Sequence, residues 1–455
     1  MPQTTDFADV LAIRLGFGLG PDPAAADAAA MLASVDAARA GDGWTVPRAG
    51  EAHRQFAKSR RDRDAGTISA DEYKRISHEL TALNRGVLRR RIARAVGAPA
   101  GFGERLVQFW TDHFTTVAPN LPQQMMAAAF VDEAIRPNLN GRFADLLFAA
   151  DTHTMMLVYL NQVNSFGPGS VFVRKRPEKR LGLNENLARE AIELHSLGVG
   201  AAYTQADVRE LAELLTGLSA DNRKGTRYIA QAAEPGADVV LGESYGGPGT
   251  SGMDEIRRAM TDLAGHPATA AHLSRKLAVH FVADDPPDAL VADLTDAWRG
   301  SGGDLATVYG VLVRHPALMA GFRHKARQPF DFIAASLRAL GLGEAGVMAL
   351  DSQRVQQALA YPLTLMGQPW NRARGPDGWP DRAEDWITPQ MLSARIGWSL
   401  RQPARLVDPL PDPRAFLATA LGSTASEPLA RAVPRAESAR EGVAIVLASS
   451  DFNRR

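Results

Sequence analysis

Apolar and polar positions alternate along most of this chain with a 3.6-residue period, the pattern of amphipathic helices packed on a core. Ser69 and Glu72 form a Ser-x-x-Glu capping pair, and a long periodic run follows to about residue 96, arginine-rich on its outer face. Residues 50–64 read as its antiparallel partner, with the Gly66 region as the turn. The next helix, from about residue 103 to 115, places Leu106, Phe109, Trp110, His113 and Phe114 at i, i+3, i+4, i+7 and i+8. Helical patterning continues over 123–138 and 141–150, from a Thr204 cap to about 216, and over 253–264, 268–282, 287–299, 304–314 and 328–341. Thr388 with Pro389 restarts a helix, a capping threonine followed by proline in the first turn.

Two intervals break this pattern. Residues 219–252 are rich in glycine and polar side chains, with one strand-like run, Asp238–Leu241, which predicts a small hairpin near 225–245. Residues 362–387 are rich in proline, glycine and tryptophan and are longer than an ordinary connection. There is no internal repeat and no sharp boundary. The expected fold is therefore mainly α: a single large multi-helical domain over residues 1–455, with irregular insertions and at most a small β-hairpin.

Composition narrows the function classes. Lys+Arg and Asp+Glu balance at 51 each in 455 residues, so no net field draws nucleic acid or an anionic membrane. The absence of cysteine excludes disulfides, thiolate metal sites, iron–sulfur clusters and cysteine nucleophiles. The first residues carry no basic region followed by an apolar one, and nothing approaches the roughly 18–20 apolar residues that span a bilayer. The expectation is a soluble protein, cytoplasmic unless a partner carries it to the periplasm.

The densest chemistry lies in Asn184–Gly198, with Asn184 as expected N-cap and Gly198 as terminator. Leu187, Ala191, Leu194 and Gly198 share a core-facing stripe, while Asn186, Glu190 and Glu193 share a second. His195 projects roughly 140° from Glu190 and cannot join that stripe directly. Glu190, Glu193 and His195 are candidate catalytic residues, with Asn186 and Arg189 as candidate ligand contacts. His113, Glu190 and His195 form a candidate set for a divalent metal or haem. The spacing matches neither His-Glu-x-x-His nor the Glu-x-x-His of di-iron bundles. The plain alternative is that the glutamates pair with Arg189, Arg180 or another arginine and that His195 complements a helix end. His113 and His280 lie on apolar faces, where histidine is more often a core residue than a ligand. His272 shares a stripe with Lys276 and reads as surface.

The 362–387 interval concentrates three of the seven tryptophans, and its Pro376-Asp377-Gly378 is a turn. Trp370, Asp377 and Trp379 are candidate ligand-binding residues, since indoles beside Asp, Asn and Gln can form a platform for sugars or other flat ligands. The alternative is a loop fastened to the core by its tryptophans, still lining the largest cleft. Arg85, Arg89, Arg90, Arg91 and Arg94 read as a solvated face pairing with acids. Arg174-Lys175-Arg176 and Lys179-Arg180 could neutralise the carboxylates of the 184–198 segment or hold an anion. Gly16-Phe17-Gly18-Leu19-Gly20 lacks the strand and helix that a dinucleotide loop requires.

Asn184–Gly198, followed by Tyr203-Thr204-Gln205-Ala206-Asp207-Val208, resembles the signature of the bacterial domain-of-unknown-function 1800 family. Further matches are Arg14–Gly18, Phe109–Phe114, Lys276–Phe281 and Pro376–Pro380. Members often carry a histidine where this chain has Ala233, so a mechanism needing that histidine is not expected here. The resemblance itself implies little about function, and two readings stand. The residues point to a hydrolase-like or metal- or haem-binding protein with an acidic and histidine site on the 184–198 helix. The other is a non-catalytic assembly or co-export partner of a sulfatase-like protein of the domain-of-unknown-function 1501 family, whose genes are often neighbours.

Overall fold

A computed structural model describes residues 5–22 and 26–455. The fold is mainly α-helical, with two small antiparallel hairpins. Local chemistry accounts for most helix starts. Asp6 caps α1 (Phe7–Arg14) and Asp27 caps α2 (Ala28–Ala38), each side chain accepting a backbone N–H of the first turn. Thr45 caps α3 (Val46–Asp64) and Ser69 caps α4 (Ala70–Gly97), joined through Gly66 at φ 71°. α5 (Phe102–His113) follows Gly101, whose φ of 77° suits a residue without Cβ.

Asn120 caps α6 (Leu121–Phe130), which runs into a π-helical turn at Val131–Ile135 and a 3₁₀ turn at Arg136–Asn138. π turns inside helices recur at functional sites, and this one borders the cavity described below. α7 (Phe143–Asp151), α8 (Thr154–Tyr159) and α9 (Val171–Arg174) lead to α10 (Asn186–Glu193) and α11 (Gln205–Leu214). Thr204 and Asp207 close a complete capping box on α11.

α10 is shorter than the periodicity predicts. Asn184 Oδ1 accepts the Asn186 N–H at 2.9 Å, but Glu185 occupies the cap position. The helix ends at Glu193, where the Leu194 and His195 N–H groups both donate to the Glu190 carbonyl, at 2.9 and 2.8 Å. His195 therefore lies past the last helical turn, and its helical-wheel angle to Glu190 does not apply. Gly198, at φ 95°, shapes the following loop instead of ending the helix.

The 219–252 interval forms two hairpins, one more than expected. β1 (Leu218–Asp221) pairs with β2 (Gly225–Tyr228), and β3 (Pro235–Val240) with β4 (Glu243–Thr250). β4 reads Glu-Ser-Tyr-Gly-Gly-Pro-Gly-Thr, and its lack of apolar alternation hides it from pattern reading.

The second half continues with α12 (Met253–Gly265), α13 (Pro267–Phe281), α14 (Asp288–Ser301), α15 (Leu305–Leu312), α16 (Ala317–Ala320) and α17 (Pro329–Ala339). Short helices α18 (Gly343–Met348), α19 (Ser352–Val355) and α20 (Tyr361–Leu365) precede the irregular segment. α21 (Pro389–Arg401) begins at its Thr388 cap and Pro389. α22 (Pro403–Leu406), α23 (Pro413–Leu421), α24 (Glu427–Ala432), α25 (Ala439–Ala448) and α26 (Ser450–Asn453) complete the chain. Among the described residues, no helix is long and apolar enough to cross a membrane.

Two apolar clusters form the interior. One gathers Phe102, Trp110, Leu187 and Phe281 with other apolar residues drawn from between Leu11 and Leu318. The other gathers Phe332, Trp398 and Phe452 with the inner faces of α4, α17 and the C-terminal helices. Trp370 packs against both, so the irregular segment after α20 is stitched into the join between them.

Candidate functional site

The helices leave a cavity of about 100 Å³ at that join. α5 contributes Gln108, Thr111 and Asp112, and α4 contributes Val87 and Arg91. The π turn after α6 supplies Val131 and Asp132. His280 comes from α13, and Trp370, Asn371 and Trp379 come from the irregular segment.

Asp112 is fixed by the turn that pattern reading found. Its Oδ1 accepts the Trp379 backbone N–H at 3.0 Å. Gly378 adopts φ +83°, and a Cβ there would lie 2.7 Å from the Asp112 carbonyl and 2.9 Å from Asp112 Oδ1. Pro376-Asp377-Gly378 thus brings a backbone donor onto a carboxylate through a contact that only glycine permits. Burial, reinforced by Asp381 and Asp377, pushes Asp112 up to about 7, against the opposing Trp379 hydrogen bond and Lys276. Asp112 is nevertheless half-buried and not sealed, as expected for a carboxyl on a cavity wall.

A chain of polar groups surrounds it. His280 Nδ1 lies 3.2 Å from Asp381 Oδ1, and its Nε2 lies 3.4 Å from Arg105 Nη2. Burial draws His280 down to about 4, so it is neutral, with Nδ1–H directed to Asp381 and Nε2 facing the guanidinium. Burial opposes ionising Asp381, yet His280, Lys325 and Lys276 hold it below the usual carboxylate range. Lys325 Nζ bonds Asp284 and the Asp381 carbonyl.

Behind Asp112, Lys276 Nζ lies 3.1 Å from His113 Nδ1, and His113 Nε2 lies 3.2 Å from the His195 carbonyl. Burial and then Lys276 hold His113 well below its ordinary value, so it is neutral, donating to that carbonyl and accepting from the ammonium. Burial lowers Lys276 too, against the pull of Asp112, Asp381 and Asp377. It forms no ion pair within 4.0 Å among the described residues.

The expected site residues are distributed over this region, and only some line the cavity. Trp370 and Trp379 do, while His113, Glu190, Glu193 and His195 are not in its wall. His195 is buried with Nδ1 2.8 Å from Asp151 Oδ1. That contact is not an aligned hydrogen bond, and neither Asp151 oxygen has a donor among the described residues. Glu190 is half-buried and pushed above its ordinary value by burial, with Glu193 and Asp377 adding to it and His195 and Arg189 opposing. Glu193 pairs with Arg189 at 3.2 Å, and Arg189 also meets Glu185 at 3.1 Å. Asn186 is exposed, and so is Asp377 at the turn. Trp386, the third indole, is buried and donates to the Pro380 carbonyl at 2.8 Å. The indoles of this segment act as wall and fastener, not as an open platform.

Among the described residues, no group of three or more His, Asp or Glu has an arrangement that could hold a metal ion. Both ring nitrogens of His113 are already engaged, which takes it out of the candidate set His113, Glu190, His195.

Two readings of the pattern need correction. His272 and Lys276 are not a surface stripe: the loop after α10 lies on His272, where a Cβ on Gly198 would be 2.8 Å from Nδ1, and Lys276 Nζ turns to His113. Burial takes His272 down to about 4. The arginines of α4 are only partly a solvated face. Arg94 pairs with Asp42 and Glu104 at 2.9 and 3.2 Å, Arg89 donates to the Leu350 carbonyl at 2.7 Å, and Arg91 is buried.

Pattern reading missed Asp112, Lys276 and Arg91. A signal existed for two of them. Asp112 adjoins His113 in the Phe109–Phe114 motif, and Lys276 stands one helical turn before His280, on the same face.

The model of a family described as protein of unknown function (DUF1800) matches residues 10–454. The chain belongs to that family. The match spans α5, α10, α13 and the segment after α20, so every element of the site lies within the family's common extent. No curated protein and no solved structure matches the chain.

Proposed function

We propose that this protein is a hydrolase-like acid–base enzyme working in the cavity between α5 and the Trp370–Trp379 segment, with Asp112 as its proton carrier. The observation that carries this reading is a carboxyl on an aromatic cavity wall, held by one backbone donor and poised near 7. Such a group is protonated often enough to protonate a leaving group and ionised often enough to take a proton from water. The α10 region acts from behind: the His195 carbonyl orients His113, His113 engages Lys276, and the Lys276 charge opposes the rise of Asp112.

The test is a panel of chromogenic esters, phosphoesters, glycosides and amides offered to the purified protein. For any substrate turned over, kcat/KM should inflect near pH 7, and Asp112→Asn should lower it by about 10²–10⁴-fold. Hydrolysis that survives Asp112→Asn at the wild-type level overturns the assignment.

A second reading, an assembly partner of a sulfatase-like protein of the domain-of-unknown-function 1501 family, is favoured by one surface. Tyr361 and Leu365 on α20 are 54% and 48% exposed, and Ile396 and Leu400 on the adjoining α21 are 46% and 38% exposed. Neighbouring exposed apolar pairs of this kind mark interaction faces. Co-purification with such a protein that is lost in Ile396→Glu/Leu400→Glu supports this reading and this face, co-purification unaffected by the double substitution overturns the face, and the absence of co-purification overturns the reading.

A further inference from the structure

The α4 wall of the cavity carries a cation with no acceptor. Arg91 is 9% exposed, its buried Nη1 has no hydrogen-bond partner, and it forms no ion pair among the described residues. The acids around it are committed elsewhere. Asp42 pairs with Arg94 at 2.9 Å, and Glu104 bonds Arg136 at 2.8 Å and Arg94 at 3.2 Å. Asp132 Oδ2 accepts the backbone N–H groups of Asp42 and Trp44 at 2.7 and 2.9 Å. Arg94, Arg136 and, at 3.9 Å, Arg90 thus share Asp42, Glu104 and Asp132, and Arg91 is left over among the described residues. A buried guanidinium without an acceptor costs more than a made bond returns, so its place on a cavity wall calls for a ligand.

Two more buried polar atoms on the same wall lack partners, the Trp370 Nε1–H donor and the Gln108 Oε1 acceptor. Much of the remaining wall is apolar, with Trp44, Phe130, Phe330 and Leu363. We propose that this cavity takes a small, largely apolar monocarboxylate whose carboxylate is held by the Arg91 guanidinium. A planar carboxylate matches the guanidinium fork, and Trp370 Nε1–H offers a further donor. A phosphate dianion fits less well, because the carboxylates of Asp42 and Asp132 flank the site. The cavity of about 100 Å³ restricts the occupant to a small molecule or the end of a larger one. A 150 Å³ apolar cavity, for comparison, accommodates benzene.

This inference rests on the acid–base reading only in calling the ligand a substrate. Its test is a calorimetric titration of the purified protein with propanoate, butanoate and 2-methylpropanoate, each beside its carboxamide. At least one acid should bind 10-fold or more tightly than its amide, and Arg91→Met should abolish that preference. Equal binding of acids and amides, no binding of any acid, or a preference that persists in Arg91→Met overturns the proposal. Where Arg91→Met does not fold, the wild-type comparison of acid with amide decides alone. A rate loss in Asp112→Asn without any acid binding would retain the catalytic reading and reject this one.

Discussion

Asp112→Asn should change the protein's stability in a pH-dependent way whose direction follows from burial. The wild-type carboxyl rises from 3.8 in an unstructured chain to about 7 in the fold. Between those values the unfolded chain releases a proton that the folded protein keeps, so wild-type stability falls as pH rises through the window and levels off above it. Asparagine has no proton to lose, and its Oδ1 can still accept the Trp379 N–H. The variant should therefore gain on the wild type as pH rises from 5 to 8. At 1.36 kcal/mol per pH unit, the roughly two units between pH 5 and the folded value near 7 give a gain of at most about 3 kcal/mol. Because Asp112 is half-buried on a cavity wall, solvent access reduces the expected gain to about 1–2 kcal/mol. Urea unfolding of both proteins at pH 5, 6, 7 and 8 measures it, and other titrating groups cancel in the difference. A difference constant across this range, or one moving against the variant, refutes the idea that Asp112 is held protonated near neutrality.

Other consequences follow from the same contacts. Gly378→Ala meets the Asp112 carbonyl at 2.7 Å and must hold φ +83°, so it should cost about 2–4 kcal/mol by chemical denaturation, whereas a distant exposed glycine would cost far less. Lys276→Met removes a charge that opposes the rise of Asp112, so the Asp112 carboxyl signal in carbon NMR should titrate at higher pH than in the wild type. A midpoint that stays put or falls would place Lys276 outside its electrostatic reach. Glu193→Gln breaks only a partly exposed pair with Arg189, so its melting midpoint should correspond to less than about 1 kcal/mol of lost stability.

The helical fold was legible because capping chemistry and the 3.6 period act locally: Ser69, Thr204 and Thr388 mark helix starts without any tertiary information. The second hairpin was not legible, because β4 is built from glycine, proline and polar residues and owes its place to pairing with β3. The end of α10 was misread for a related reason. Leu194 through Gly198 continue a helical stripe in sequence, but the chain turns at Glu193 and sends two N–H groups to the Glu190 carbonyl. At the site, the turn at Gly378 and the indoles of Trp370 and Trp379 could be read as one feature. Their target could not, since Asp112 lies 267 residues from Trp379 and only folding brings them together.

The signature segment and the cavity divide two tasks between them. Glu190, Glu193 and Arg189 form a half-exposed ionic group in which Glu193 is paired and Glu190 is the carboxylate without an ion pair, while His195 turns inward beside Asp151. A segment so charged on one side and so closely packed on the other is suited to setting positions. Its effect on the cavity runs through a backbone carbonyl and a neutral imidazole to one ammonium, which shares its field with Asp112, Asp377 and Asp381. Position along this path predicts kind of effect. If Asp112 is the proton carrier proposed above, changes at Asp112 should alter the proton carried, changes at Lys276 should alter where it titrates, and changes at His195 should act by moving the carbonyl that holds His113. On the acid–base reading proposed above, the acids and histidine that dominate the sequence stand one step behind the cavity, and the residues nearest to it are an aspartate, a lysine and an arginine that sequence pattern alone leaves on ordinary helix faces.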